Sequence, residues 1–442
     1  MEMVEGEAGH AGPIGRLLFR LEAGLLGFLC LASPAFPRLL PFLLGVLGVN
    51  AAIHVFTTEP KRPLALLRTP IGIAIGLFVA YLFVNSALTG GAGFSKAAAT
   101  LGLLAAGFLV AASVMLRDPR QIRVLAKSAL AGLLFGVAFL LIELAFDEPV
   151  KRFVANHGFR LFDLAPKKVV IVNGEIVKVK ASVLNRNVTS LVLLLIPGLL
   201  FAGALPARLW RQGLLAVLVV AAAICVFISE SGTSIVAFVL SAAVLGSSAL
   251  SLKATRVGLM AAWTIAMVFA VPLAALPYER GWNRWTWLPP ESVAARFYIW
   301  KHMADQVGTH PVIGLGIRGA RDLKLQLPAD SKRLQEANPV ADGRRVPHPH
   351  NIFLQIWLEL GAIGAVLALG IGLVALWQIG TLPALVQAGA NGLFAAGAAV
   401  AASGFDLWQT WLFASYVAAW VAIVLAKRLA TGGASGQGNP GA

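Results

Sequence analysis

The sequence predicts an all-α polytopic membrane protein with about twelve transmembrane helices. Three observations carry that class. Of the 442 residues, 58% are apolar and 13% charged, and the mean hydropathy is +0.78; a soluble chain carries about a quarter charged residues. Apolar runs of the ~20 residues that cross a bilayer core recur along the whole chain. Basic residues gather in alternate short connections, as the positive-inside rule requires. A cytosolic enzyme, a disordered chain and a disulfide scaffold are excluded; Cys30 and Cys225 each sit inside an apolar run as small hydrophobes.

In order, the runs are 16–34, 37–56, 70–88, 96–116, 128–146, 188–206, 212–229, 232–250, 256–276, 350–377, 386–403 and 407–426. Residues 1–15 are an acidic, Gly-rich tail without the basic start and cleavage site of a signal peptide. If this tail is cytoplasmic, that side also carries Lys61, Arg62 and Arg68; Arg117, Arg120, Arg123 and Lys127; Arg208 and Arg211; Lys253 and Arg256; and Lys427 and Arg428. The opposite short connections carry only Arg38 and Lys96. The chain then divides into helices 1–5 (16–146), a first outer loop (147–190), helices 6–9 (191–276), a larger outer loop (277–349), helices 10–12 (350–426) and a cytoplasmic tail (427–442). In the first loop, two β-branched runs flank Asn173-Gly174, the signal of a hairpin with a type I′ turn.

The net charge of +15 would suggest nucleic acid in a soluble chain; here its placement matters more, and no nucleic-acid partner is expected. Both outer loops are basic. The first holds Lys151, Arg152, Arg160, Lys167, Lys168, Lys178, Lys180 and Arg186, and the second includes Arg284, Lys332, Arg333, Arg344 and Arg345. Long loops are exempt from the topological rule, so anionic lipid head groups or phosphates account for this excess; a solvated basic face is the plainer alternative. Neither nucleotide-binding glycine motif occurs, and Asp147-Glu148 is an isolated acidic pair. An enzyme built this way is expected to use no metal and no cofactor, and its substrate must arrive activated.

The most informative stretch is Pro347-His348-Pro349-His350-Asn351, at the entry to an apolar run. Proline disfavours helical geometry before it, so His348 is expected to be extended, with His350 in the first helical turn. A neutral imidazole there can take a proton from an alcohol near pH 7, and Asn351 could orient that alcohol or a sugar. A helix-start histidine that only bonds loop backbone is the plainer reading. Arg296 and Trp300 lie four apart on one helix face, where the indole can anchor and the guanidinium can reach phosphate. His310-Pro311-Val312-Ile313-Gly314-Leu315-Gly316-Ile317-Arg318 is a Gly-rich turn followed by a cation. Arg186, in Asn185-Arg186-Asn187-Val188-Thr189, opens an apolar span; a cation there opposes the helix dipole, so an anionic partner or snorkelling to lipid phosphate accounts for it. Glu359 is intramembrane and nine residues after His350; on one continuous helix it faces roughly the opposite side, as a structural partner of another span.

Taken together, His350-Asn351 followed by Gly361-x-x-Gly364, Arg296-x3-Trp300, the Pro311…Gly314-Leu315-Gly316 turn and Asn185–Thr189 resemble the O-antigen ligase/polymerase superfamily, best of all its bacterial O-antigen ligase branch. The resemblance covers nearly the whole chain through the order of the motifs and the span layout. It implies a metal-independent, inverting glycosyltransferase with a GT-C-like fold in the bacterial inner membrane, its active site facing the periplasm and its two outer loops periplasmic. It implies a donor, O-polysaccharide on undecaprenyl diphosphate, and an acceptor, a hydroxyl of lipid A–core, together with surrounding membrane lipids. His350 corresponds to the family's essential His, and Arg296 and Arg186 correspond to arginines near the donor diphosphate; from the residues themselves, His348 and Asn351 are expected to orient substrate. Many relatives have an arginine near the outer end of a middle span; Ser229-Glu230-Ser231-Gly232-Thr233 has none. Arg318 and Arg321 are the expected substitutes. O-antigen polymerase and protein O-oligosaccharyltransferase are sister readings. A lipid or polysaccharide transporter is the rival of another class, which would place charges or broken helices near mid-membrane.

Overall fold

The computed structural model describes residues 12–157, 169–282, 291–324 and 348–434. Arg160, Lys167, Lys168, Arg284, Lys332, Arg333, Arg344, Arg345 and Pro347 lie outside the described residues. The helices are α1 (Pro13–Ala35), α2 (Leu40–Thr58), α3 (Arg62–Leu67), α4 (Pro70–Leu88), α5 (Phe94–Leu116), α6 (Pro119–Ala145), α7 (Pro149–Asn156), α8 (Asn185–Gly203) and α9 (Arg208–Ile228). They continue as α10 (Gly232–Leu250), α11 (Leu252–Val268), α12 (Ala270–Glu279), α13 (Glu291–Val307), α14 (Ile352–Ile379), α15 (Ala384–Ser403) and α16 (Thr410–Ala434). The sheet is one hairpin, β1 (Val169–Val172) with β2 (Glu175–Val179). Its turn residues Asn173 and Gly174 both have positive φ, +53° and +83°, as the Asn-Gly signal predicts.

The all-α polytopic class is as expected. Among the described residues, ten helices are long and apolar enough to cross a membrane. An eleventh span counts if α11 and α12 are taken as one, although they bend by 71° at their junction. The expected run 256–276 is thus broken; Pro272 has no N–H to give Val268, four residues back. The first expected run, 16–34, is helical as α1 but is not among these spans; it carries Arg16, Arg20 and Glu22. Helix α6 starts nine residues before its expected run because Asp118 and Gln121 form a capping box with Pro119 at the first turn. Such a box satisfies two orphan N–H groups.

Contacts divide the chain into two compact units. The first comprises Met1–Leu66, Leu103–Ser231 and Ala414–Ala442. In it, α1 packs along α6, with Ser128 Oγ donating to Ala23 O at 2.6 Å. Glu22 of α1 and Arg117, just beyond α5, form a buried ion pair at 2.5 Å, and Ser113 Oγ donates to the same carboxylate at 2.7 Å. Asn187 Nδ2 donates to the terminal carbonyls of α1, Pro34 O at 2.9 Å and Ala35 O at 2.7 Å. That is the local reason for an asparagine at the head of α8. Arg186 is the second residue of α8 and half-buried.

The second unit comprises Leu67–Gly102 and Gly232–Phe413. Its organising feature is an interruption in α14. Gly361 has φ 63° and ψ −164°, a conformation essentially confined to glycine. The expected uninterrupted run 350–377 is therefore two helical pieces. Exposed carbonyls inside a membrane cost several kcal/mol each, and the 311–316 loop removes that cost. Leu315 N–H donates to Leu358 O and Gly316 N–H to Glu359 O, each at 2.9 Å. Ala362 N–H and Ile363 N–H, opening the second piece, donate to Pro311 O and Val312 O at 2.9 and 3.3 Å. Tyr81 of α4 donates its hydroxyl to Leu360 O at 2.7 Å, and Asn85 Nδ2 holds Ile313 O at 2.7 Å. The Gly-rich turn is the plug of this break.

Candidate active site

The sequence stretch around His350 is placed by contacts within the second unit. Trp300, on α13, donates its indole N–H to Pro349 O at 2.7 Å. Asn351 is the N-cap of α14, its side chain accepting from Leu354 N–H at 3.2 Å. Between them His350 has φ 56°, the left-handed region, which is uncommon for a residue with a side chain. His350 therefore does not lie in the first turn of the helix; it precedes the cap. The angular argument placing Glu359 opposite it on one helix accordingly does not apply.

This geometry fixes the proton on the ring. His350 Nδ1 lies 2.9 Å from Gly404 O, and a carbonyl can only accept. Nδ1 therefore carries the hydrogen, and in the neutral ring Nε2 keeps its lone pair. His348, buried, accepts the backbone N–H of His350 on its own Nδ1 at 3.2 Å, and the two rings lie 4.1 Å apart. Burial pushes His348 down to about 3, aided by His350. Burial also holds His350 below the ordinary histidine value, against the opposing effect of its bond to Gly404. Both rings are thus neutral near pH 7.

A buried acid absent from the sequence-based expectations stands behind the pair. Asp406 Oδ1 accepts from Gln355 Nε2 at 2.7 Å and from Trp408 N–H at 3.1 Å; its Oδ2 takes Arg321 Nη2 at 2.9 Å. Burial alone would raise Asp406, but the bonds from Gln355 and Arg321 outweigh it and hold the carboxyl below its ordinary value. Glu359 does serve as a structural partner: it accepts from the Trp408 indole and from Ala320 N–H, the latter at 3.4 Å.

Six of the seven expected site residues, His350, His348, Asn351, Arg296, Arg318 and Arg321, belong to the second unit; Arg186 belongs to the first. Arg296 acts electrostatically on both His348 and His350. No ion pair among the described residues involves it, and burial pushes its guanidinium down. It is a half-buried cation beside a neutral base. The oxygen of Asn351 is committed to the helix cap, and His348 buttresses the backbone of His350. The structure thus gives both residues local tasks. No group of three or more metal-ligating side chains occurs among the described residues.

Trp300→Phe keeps the ring and removes the donor to Pro349 O. Leaving a buried carbonyl unpaired costs about 1–3 kcal/mol. The expected result is a loss of about that size in thermal stability, with the titration midpoint of His350 moving up towards the ordinary histidine value as the ring loosens into water. An unmoved midpoint would reduce Trp300 to ordinary packing.

Fold and site together define a polytopic membrane protein whose second unit holds a neutral imidazole with a half-buried cation acting on it. Residues 216–369 match the family model described as O-antigen ligase. Three curated proteins named "Putative polysaccharide ligase" are similar over about the same length of chain. Those of Rickettsia felis and Rickettsia bellii are 27% identical over 135 residues and 31% over 136 residues; each match covers 30% of this chain and 32% of the relative. That of Rickettsia conorii is 29% identical over 135 residues, 30% of this chain and 31% of the relative. The matches thus span about a third of the length of the curated relatives. These likenesses agree with the resemblance in the motifs. The family match contains Arg296, Arg318, Arg321, His348, His350 and Asn351 but neither Arg186 nor Asp406.

Proposed function

We propose that this chain is an O-antigen ligase-type glycosyltransferase, moving O-polysaccharide from undecaprenyl diphosphate to a hydroxyl of lipid A–core at the periplasmic face of the inner membrane. The observation that carries this reading is the pinned tautomer of His350: Nδ1–H held by Gly404 O, leaving Nε2 basic. In the proposed reaction, the acceptor oxygen gives its proton to Nε2 while it attacks the anomeric carbon. The bond from that carbon to the diphosphate oxygen breaks with its electron pair, and the charge left on the diphosphate is met by Arg296. Attack from the face opposite the leaving group inverts the centre and needs no covalent sugar–enzyme intermediate. Arg186, Arg318 and Arg321 are further candidates for holding the donor. Fixed guanidiniums favour the departing charge more than water does. As the break at Gly361 is filled by backbone donors, it offers no open ring of carbonyls to an ion, which favours an enzyme over a transporter.

The test is transfer by purified protein from one labelled donor to three acceptors. Label on lipid A–core supports the reading; chain elongation or label on a protein serine instead assigns the polymerase or oligosaccharyltransferase activity. The pH profile is a second check. With the native His350 value below the ordinary ~6.5, kcat/KM should be flat at neutral pH and fall only as pH drops through a midpoint below 6.5. The stability contribution of the two neutral rings, one buried and one half-buried, has the same sign: fully present above ~6.5 and lost towards acid, because the unfolded chain binds the protons first.

A further inference from the structure

Lys96 is, by sequence, one of the few cations expected on its side of the membrane, with no site assigned to it. The fold gives it neighbours. Ala97, next in the chain, is fully buried in one apolar cluster with Ile317 and Trp408. A Cβ on Gly93 would meet Ile317 Cβ at 2.7 Å. The first turn of α5 is thereby pressed against the residue before Arg318 and the residue two beyond Asp406. Lys96 interacts electrostatically with Arg318, Arg321 and Asp406. Three cations therefore share one neighbourhood with Asp406, and Arg321 already pairs with that aspartate. Neither Lys96 nor Arg318 has an ion pair among the described residues, and Arg318 Nε is buried without a partner. The oxygens of Glu359, a second acid nearby, already accept from Trp408 and Ala320. Lys96 also stands in the first turn of a helix, where the dipole adds positive potential. Two like charges without a counter-ion at such a place are unfavourable until an anion joins them.

We propose that Lys96, Arg318 and Arg321 form a phosphate-binding subsite, distinct from Arg296 beside His350, that takes a phosphate or diphosphate group of a lipid-linked substrate. Phosphate fits because it carries up to two charges and several acceptor oxygens, matching two uncompensated cations with a third in reach. A lipid-borne phosphate fits because Lys96 stands in the first turn of an apolar helix long enough to span a membrane, and the ends of such helices meet the head groups. The substrate assignment rests on the transferase reading above; the anion site does not.

Binding of farnesyl diphosphate to the purified full-length protein tests this. Lys96→Gln and Arg318→Gln should each raise the Kd about tenfold, and the pair more; Lys96→Arg should stay within about threefold. Lys253→Gln, an exposed lysine on α11, should change nothing. Inorganic pyrophosphate losing affinity in the same variants shows that the phosphate alone is recognised. A Kd that ignores Lys96→Gln and Arg318→Gln in folded protein overturns the subsite. Stabilisation by phosphatidylglycerol nanodiscs over phosphatidylcholine ones, with no response to either diphosphate, overturns the substrate assignment. Because the readout is binding, protein that holds the probe through Lys96 yet transfers no sugar keeps the subsite and rejects the transferase reading.

Discussion

His350→Asn lowers transfer by about 10²–10⁴-fold, the usual contribution of a positioned base, and leaves the amount of folded protein unchanged. Asparagine suits the test better than alanine. It tolerates the left-handed backbone that His350 adopts at φ 56°, and its amide can still donate to Gly404 O. What it lacks is a basic nitrogen. Single-turnover assays with saturating donor separate the two halves of the proposal: His350→Asn should slow the chemical step without weakening donor binding. Arg296→Ala should do the reverse in part, raising donor KM and lowering turnover, and Arg296→Lys should restore little because an ammonium does not reproduce the planar fork. Transfer by His350→Asn above a tenth of the wild-type rate, in protein that elutes as a single folded species, ends the assignment of His350 as base.

The second large effect is structural. Gly361→Ala should destabilise the second unit by about 2–6 kcal/mol, combining ~1–3 for a glycine-only conformation with ~1–3 for overpacking. The overpacking is specific: a Cβ at Gly361 would lie 2.3 Å from Val312 O. Gly314 faces the same seam, where its Cβ would lie 2.3 Å from the Glu359 carbonyl carbon. Neither side can yield without opening the bonds that satisfy Leu358 O and Glu359 O. Gly370→Ala on the same helix is the control, because a Cβ there meets nothing within 4 Å; its effect should stay within about 1 kcal/mol. Thermal melting of both variants in one detergent decides the matter, and equal melting temperatures would remove Gly361 as an obligatory break. Loss of activity should accompany loss of stability at Gly361, since the plug continues directly into Arg318 and Arg321.

The spans were legible because apolar composition and length suffice to mark them, and the hairpin because Asn-Gly between β-branched runs has one good solution. The first two turns of α6 were hidden by Arg120, Arg123 and Lys127, which read as a loop, although Asp118-Pro119 with Gln121 carried the capping signal. The break in α14 was not legible: a glycine inside an apolar run is compatible with a helix, and only the 311–316 loop decides otherwise. The same limit applies to the site. His350 and Arg296 stood out through proline spacing and the Arg-x3-Trp pattern, whereas Asp406 is a lone acid at the edge of an apolar run and Lys96 reads as a topological charge. Their roles come from long-range packing, 51 residues from Gln355 in one case, and no local pattern encodes that.

The pairing of Glu22 with Arg117 has a bearing on biogenesis. When α1 leaves the ribosome, its carboxylate has no counter-ion, and the guanidinium that will neutralise it is 95 residues away. A charge near the centre of an isolated helix costs about 2.5–3.5 kcal/mol on insertion. Helix α1, which does not qualify as a span by its own composition, is therefore a poor passenger for the translocon alone, and the buried pair ties it to chain made later.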